Sequence, residues 1–177
     1  HILTSTTGTV STDYVYRAND MYDPYAGVGG NQPRGFDQYM AMFRNFAVLG
    51  SKVTINVGYG QASATSNDML VAIVTQDGST SITNKNTIRE SPRLRYRMCT
   101  ASNGRTSLSS TYSFKINGVK DVIDNDKLWG TSSSSPTEQW YYHVVAYQPD
   151  GNTDTLTFTG HIEYTAIFFH AITPPAS

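Results

Sequence analysis

The chain has 177 residues, a net charge of −1 and a charged fraction of only 15%. One hydrophobic core is comfortable at this length, so we expect a single domain over residues 1–177, and the near-neutral charge gives the chain as a whole no attraction for a polyanion. A single cysteine, Cys99, excludes an intrachain disulfide framework, and no apolar run reaches the roughly 20 residues that span a bilayer.

From its start the chain reads as short strands separated by polar turns. Residues 9–17 predict a first strand, and a segment rich in Gly, Pro, Asn and Asp follows it. Aromatic and methionine side chains then recur at helical spacing, which predicts one short helix near 36–44. The next strand, 46–59, alternates apolar with polar residues, and residues 80–91 read as a polar connection.

Eight strands are predicted in all, at about 9–17, 46–59, 69–76, 93–99, 111–117, 127–131, 138–148 and 155–169. Eight strands without a long helix or an internal repeat indicate an all-β protein of two sheets. The favoured fold is a single jelly roll with two packed four-stranded antiparallel sheets, because the connections after the first, third and sixth strands are long and irregular. An immunoglobulin-like sandwich is the alternative.

No catalytic grouping is visible, so we do not expect an enzyme. The sequence has no Gly-x-Ser-x-Gly elbow, no phosphate-binding glycine loop and no pair of histidines with the spacing of a zinc protease. We interpret His143, His161 and His170 as surface or interface residues. No cofactor is expected.

One acidic cluster could hold a hard cation such as calcium. Asp121, Asp124 and Asp126 lie close together with Asn125, but the spacing is not that of an EF-hand and no glutamate closes the loop. A solvated turn or a helix cap is the alternative interpretation.

The sharpest electrostatic feature is a row of arginines at every second position of a predicted strand. Arg93, Arg95 and Arg97 would project from one face about 6.6 Å apart, and Arg89 lies close by in sequence. Guanidinium groups pair well with phosphates and sulfates. Three uses remain open, namely a solvated or intersubunit face, a site for an external polyanion such as a sulfated glycan, and a genome contact.

Aromatic side chains allow a function of another class, a carbohydrate-binding, lectin-like sandwich. The candidate stacking residues are Tyr22, Tyr25, Trp129, Trp140, Tyr141 and Tyr142. The alternative is that Trp140 and Tyr142 share one face of a strand and fill the core.

The segment 16–52 resembles the link between the first two strands in capsid proteins of small circular single-stranded DNA viruses, the circovirus-like group. The matching pieces are Arg17-Ala18-Asn19-Asp20, Tyr22-Asp23-Pro24, Gln32-Pro33, Gly35-Phe36-Asp37-Gln38-Tyr39 and Val48-Leu49-Gly50-Ser51-Lys52. Residues 92–100, 118–121, 139–147 and 162–164 continue the resemblance in the family's order and spacing.

This resemblance implies a virion protein whose identical copies close into the smallest icosahedral shell (T=1) around single-stranded DNA, with assembly in the host cell and the nucleus as one location. It also implies that the strand carrying the arginine row belongs to the sheet turned away from the genome. The family has an arginine-rich arm ahead of its first strand, so we expect a basic segment upstream of His1 to bind most of the DNA. Weaker nucleic-acid candidates on the inner face are Tyr14, Arg17 and Lys127. A host-surface glycan is a further expected partner, and a membrane is not.

Overall fold

Strands and polar turns alternate along the computed structural model, which describes residues 1–5, 9–27, 31–59, 68–100, 104–113, 119–149 and 154–173. The strands are β1 (Ile2–Ser5), β2 (Tyr14–Arg17), β3 (Phe43–Tyr59), β4 (Met69–Gln76), β5 (Leu94–Cys99), β6 (Arg105–Ser113), β7 (Trp129–Gly130), β8 (Tyr141–Tyr147) and β9 (Asp154–Ala171). The helices are α1 (Phe36–Met40), α2 (Lys85–Glu90) and α3 (Val119–Ile123), and a 3₁₀ turn covers Asp126–Leu128. Among these residues, no helix is long and apolar enough to cross a membrane.

Two antiparallel sheets carry the fold. The five-stranded sheet has the order β1-β9-β3-β6, with β7 added beside β3, and the four-stranded sheet has the order β2-β8-β4-β5. The pairs β1·β9, β2·β8, β3·β6 and β4·β5 are nested like the rungs of one long hairpin. The pairs β3·β9 and β4·β8 then join the two halves of that hairpin. A nested hairpin rolled up in this way is a jelly roll, and the predicted fold is confirmed.

The main core lies between the sheets, where every second side chain of each strand points inward. From the five-stranded sheet come residues such as Val53, Ile55 and Leu156, and from the four-stranded sheet Ile73 and Val144, all at most 2% exposed. Cys99 also lies here, where burial raises the pKa of its thiol. Burial of this apolar area is the main favourable term that holds the sheets together.

A second apolar layer covers the outer face of the four-stranded sheet. Ile82 and Ile88, from the connection between β4 and β5, pack onto Ala72, Val74 and Val145. This connection was predicted to be a polar loop, but it contains α2, whose first turn is capped by the Asn84 side chain accepting from the Asn86 amide.

The paired strands β3 and β9 run on past the bulge as a ribbon, to which β7 adds a short third strand at Phe46 and Ala47. A β-bulge at Leu49 shifts their register and exchanges the faces to which alternate residues point. One face of the ribbon packs against α1 through Phe36 and Phe46, and the other packs against α3 through Ala47 and Val122.

Several predicted bounds differ from the observed ones. The structure adds β1, so the predicted strand 9–17 corresponds to the second strand and is only four residues long. Helix α1 ends at Met40, and β3 begins at Phe43 because that residue already pairs with Ala171 of β9. Strand β6 begins at Arg105 rather than at 111, and residues 114–117 of the predicted strand lie outside the described residues.

Candidate functional site

The arginine row lies on β5, which is the edge strand of the four-stranded sheet. Its residues share a face with Cys99, so the row points towards the space between the sheets, at the open side of the sandwich next to β6. Arg93 is held by an aromatic ring, since its guanidinium carbon lies 4.4 Å from the centre of the Trp140 ring. This cation–π contact removes Arg93 from the set of free cations.

Arg95 and Arg97 meet a third cation from the other sheet. Together with Lys52 of β3 they line a cleft of about 300 Å³, which we call the basic cleft. Its remaining lining residues are Thr54, Tyr96, Ser107, Leu108 and Ser109. Lys52 and Thr54 alternate with core residues of β3, so they lie on the outer face of the five-stranded sheet. Because Arg95 and Arg97 line the same cleft as these two residues, the arginine side chains extend round the edge strand β6 to that outer face.

Arg89 is not part of this arrangement. It lies on α2, over the outer face of the four-stranded sheet, where its Nε donates to the Tyr147 hydroxyl at 3.3 Å and its guanidinium carbon lies 5.9 Å from the Tyr147 ring. The four arginines that the sequence grouped together therefore fall on two faces of one sheet.

The three weak nucleic-acid candidates lie apart as well. The Arg17 guanidinium contacts the Asp23 carboxylate at 2.6 Å and also donates to the Asp23 carbonyl at 2.7 Å, so its charge is already neutralised. The Tyr14 ring lies 5.3 Å from that of Phe158, and its hydroxyl donates to the carbonyl of Ile2. Lys127 is exposed on the 3₁₀ turn next to Asp126. Arg17 and Tyr14 are structural residues here.

The three aspartates of the acidic cluster do not converge on one point. Asp121, Asp124 and Asp126 are all exposed. Among the described residues no three acidic, histidine or cysteine side chains converge closely enough to hold a metal ion. The Asn125 side chain accepts from the Lys127 amide, which supports the alternative interpretation of a capped, solvated turn.

The motif Arg17-Ala18-Asn19-Asp20, the first piece of the resemblance, holds the first long connection in place. The Asn19 side chain donates to the Glu138 carbonyl at 2.8 Å and accepts from the Trp140 amide at 2.9 Å, so it fastens the first long connection to the start of β8. Asp20 accepts from the Tyr22 amide at 2.9 Å and closes a turn. The motif positions the chain and presents no reactive group.

Burial raises the pKa of Asp20, whose side chain is fully excluded from water. The hydrogen bond from the Tyr22 amide and the nearby charge of Arg17 oppose the shift but do not cancel it, and Asp20 Oδ2 has no hydrogen-bond partner among the described residues. The carboxylate is thus held in an unfavourable environment within the motif.

A buried contact between His143 and Asp13 was not found by sequence reasoning. His143 Nδ1 lies 2.6 Å from the Asp13 carboxylate, and its Nε2 lies 2.8 Å from the Gly78 carbonyl oxygen, closer than the Gln76 amide nitrogen at 3.2 Å. The same carboxylate accepts from the Ile82 amide. His143 was interpreted as a surface or interface residue, and its complete burial shows that this was wrong.

The aromatic candidates for sugar stacking are mostly engaged internally. Tyr142 is fully buried and shares a hydrogen bond with the Ser51 hydroxyl, and burial raises its pKa to about 12. The Trp129 indole donates to the Val122 carbonyl, and Trp140 packs against the core beneath Arg93. These contacts favour the alternative interpretation, in which Trp140 and Tyr142 fill the core.

A cavity of about 530 Å³ opens between β2 and β9, with walls that include Tyr16, Tyr25 and Phe158. None of the described residues lining it is an aspartate, glutamate, cysteine or serine. The described lining of the cavity therefore contains no carboxylate and no thiol.

An apolar patch marks the far end of the β3·β9 ribbon. Tyr39, Met42 and Ile172 are 51%, 52% and 41% exposed. The Tyr39 ring stacks on that of Phe168 at 4.8 Å, and the Ile172 amide donates to the Met42 carbonyl at 2.9 Å, so the four residues form one surface. We call this surface the tip patch. Large apolar side chains grouped in this way mark contact sites more often than single exposed residues do.

Comparison with known proteins gives the fold and no sequence family. No protein-family model matches the chain, and no curated protein matches it by sequence. Among solved structures, the T=1 subviral particle of a Penaeus vannamei nodavirus capsid protein deletion mutant has a TM-score of 0.50 at 8% identity, with 97% of this chain and 98% of that chain covered.

Two further solved structures are similar at lower TM-scores. The naturally occurring empty particle (top component) of cowpea mosaic virus has a TM-score of 0.47 at 13% identity, covering 99% of this chain and 88% of that one. Tobacco necrosis virus has a TM-score of 0.46 at 8% identity, covering 96% and 86%. None of the three names is that of a circular single-stranded DNA virus, so the finer resemblance to circovirus-like capsids is not confirmed.

Proposed function

We propose that this chain is a viral coat protein, and that identical copies of it assemble into the smallest icosahedral shell (T=1) around a circular single-stranded DNA genome. The observation that carries the proposal is a complete jelly-roll strand order in a chain that also leaves an apolar tip patch uncovered. The DNA genome is supported by the ordered resemblance to circovirus-like capsids.

The mechanism of such a protein is assembly without a chemical reaction. A second copy covers the tip patch, and closed symmetry repeats this contact around the shell so that modest interfaces add up. The proposal also includes a basic arm upstream of His1 that binds most of the genome, a host-surface glycan as receptor, and a virion formed inside the host cell.

Particle size tests this function directly. Purified chain is examined by light scattering and by negative-stain electron microscopy over a range of salt concentration and pH. Uniform closed shells are expected. A protein that stays monomeric under all conditions overturns the proposal, and monomers that bind glycans would favour the lectin-like alternative.

The type of genome has its own test. Nucleic acid is extracted from particles purified from infected material and is treated with DNase or with RNase. Digestion by DNase alone is expected, and digestion by RNase alone overturns the assignment to a DNA virus while leaving the shell function intact.

A further inference from the structure

We propose that the basic cleft binds the phosphate backbone of single-stranded nucleic acid, with Arg95, Arg97 and Lys52 as the phosphate contacts. The proposal rests on the proposed shell function and adds to it a genome-binding site in the jelly roll itself. No arm upstream of His1 is needed for this contact.

The three cations are available to a ligand. Each is exposed, and none forms an ion pair or a hydrogen bond with another described residue. By contrast, Arg17 is paired with Asp23, and Arg93 and Arg89 lie against aromatic rings. Free guanidinium groups at an exposed cleft pair with phosphate oxygens bidentately.

The surroundings of the cations suit a phosphodiester chain. The hydroxyl groups of Thr54 and Ser109 line the same cleft and can donate to phosphate oxygens, whereas that of Ser107 donates to the Ile55 carbonyl. A positively charged groove that follows the backbone is one part of the sites that bind single strands without sequence preference.

A second cleft continues this surface. It has a volume of about 540 Å³, shares Ser107 with the basic cleft, and includes Arg105, Thr157 and Thr159. The two clefts together form a track across the outer face of the five-stranded sheet, along which a strand longer than one nucleotide can lie.

The charge of this face differs from that of the chain. Four cations line the track, Lys52, Arg95, Arg97 and Arg105. Glu163, on β9 directly opposite Lys52, is the one carboxylate paired in register with a cation of this face among the described strands. Four positive charges thus line the track, whereas the whole chain carries a net charge of −1. A near-neutral subunit therefore still offers one face to a polyanion.

The arginine strand belongs to the four-stranded sheet, which the resemblance to circovirus-like capsids places away from the genome. The structure shows why that does not exclude a genome contact. The side chains of Arg95 and Arg97 pass the edge strand β6 and join Lys52 on the other sheet. A strand can belong to one sheet while its long side chains reach the surface of the other sheet.

The test measures binding of a fluorescently labelled oligothymidylate to the 177-residue chain by anisotropy, at several salt concentrations. The triple variant K52A/R95A/R97A is compared with R34A/R44A/K85A, which removes the same three charges from exposed sites outside the cleft. The cleft variant is expected to bind at least about tenfold more weakly, and its salt slope is expected to fall by about 2, since each phosphate contact contributes about 0.7. The control is expected to change affinity by less than about twofold.

Tyr96→Ala is a further control. The alternation along β5 points this side chain away from the face of Arg95 and Arg97, so the variant should leave both the affinity and the salt slope unchanged. Circular dichroism confirms that each variant is folded, and Arg95→Gln replaces the triple variant if the latter does not fold.

Three results overturn the proposal. The first is an equal loss of oligothymidylate affinity in the cleft variant and the control, and the second is no loss of affinity in either. The third is that the chain binds a sulfated polysaccharide but not the oligothymidylate. Electron microscopy of the same samples keeps this question apart from the shell function. Shells that lack oligothymidylate binding refute the cleft alone, whereas binding by a chain that never forms shells supports the cleft and refutes the shell.

Discussion

Asp13 and His143 form a hydrogen-bonded pair from which water is excluded, with side chains 2% and 0% exposed. Removing Asp13 takes away the acceptor shared by His143 Nδ1 and the Ile82 amide, which leaves buried polar groups without a partner. We therefore expect Asp13→Ala to lower the free energy of unfolding by about 2–4 kcal/mol in urea titrations. The exposed Asp124→Ala is the control and should change it by less than about 0.5 kcal/mol. Equal effects of the two variants would mean that the pair adds nothing to stability.

For Asp20 we expect the opposite effect, namely that neutralising the carboxylate raises the free energy of unfolding. Its folded pKa is raised above the ordinary value of 3.8, so the native state binds this proton more tightly than the unfolded state does. Ionisation of Asp20 therefore costs stability as the pH rises from the unfolded pKa to the folded one, and the cost remains above that window. Acidification below the folded pKa relieves it.

The variant Asp20→Asn should remove this dependence, because the amide oxygen can still accept from the Tyr22 amide. We expect the difference in unfolding free energy, variant minus wild type, to grow from acid towards neutral pH and then to level off. Denaturant titrations at several pH values measure it. A difference that shrinks as the pH rises would show that ionised Asp20 is stabilising.

At the scale of single residues, the sequence predicts the chemical type of a site better than its partners. The period-two arginines were visible, but Lys52 lies more than forty residues earlier and meets them only because β6, the neighbour of β3, lies next to β5 at the open side of the sandwich. The burial of His143 was equally hidden, since its partner Asp13 is 130 residues away in the chain.

At the scale of elements, α2 shows how a short helix can stabilise a sheet from outside. Ile88 is 1% exposed and lies on Val74 and Val145 beneath the connection between β4 and β5. Ile88→Ala leaves a cavity there and should lower the free energy of unfolding by about 2–4 kcal/mol. Thr87→Ala, on the exposed side of the same helix, should change it by less than about 1 kcal/mol. A small effect of Ile88→Ala would mean that this cover is only loosely attached.

The elements that escaped prediction share a cause, which is a weak apolar pattern. Helix α2 has six residues and one buried apolar side chain, too few for a helical period. In β6, Ser110 occupies a core position by bonding to the Thr75 hydroxyl at 2.9 Å, so the alternation of apolar and polar residues is broken. The long strands β3, β4, β8 and β9 were predicted because their inward-facing residues are almost all apolar.

At the scale of the whole molecule, the strand order follows from pairing across the full length of the chain. Strand β1 near the start pairs with β9 near the end, and β2 pairs with β8. Local residue patterns identify strands but carry little information about such distant partners. The jelly roll was predictable because the long connections left few ways to join eight strands into two sheets.

The molecule leaves its tip patch at the far end of the β3·β9 ribbon, where a neighbouring subunit can reach it. If a second copy covers this surface, a charge placed at Met42 must be desolvated on assembly, and assembly should fail. We expect Met42→Lys to give folded protein, with an unchanged circular dichroism spectrum and a Tm within about 2 °C of the wild type, because the residue is 52% exposed. The same protein should give no shells in light scattering and electron microscopy. Met98→Lys is the matched control, since it makes the same substitution at a residue 40% exposed on the four-stranded sheet. Shells formed by both variants would place the subunit contact elsewhere, and loss of shells in both would mean that added charge alone prevents assembly.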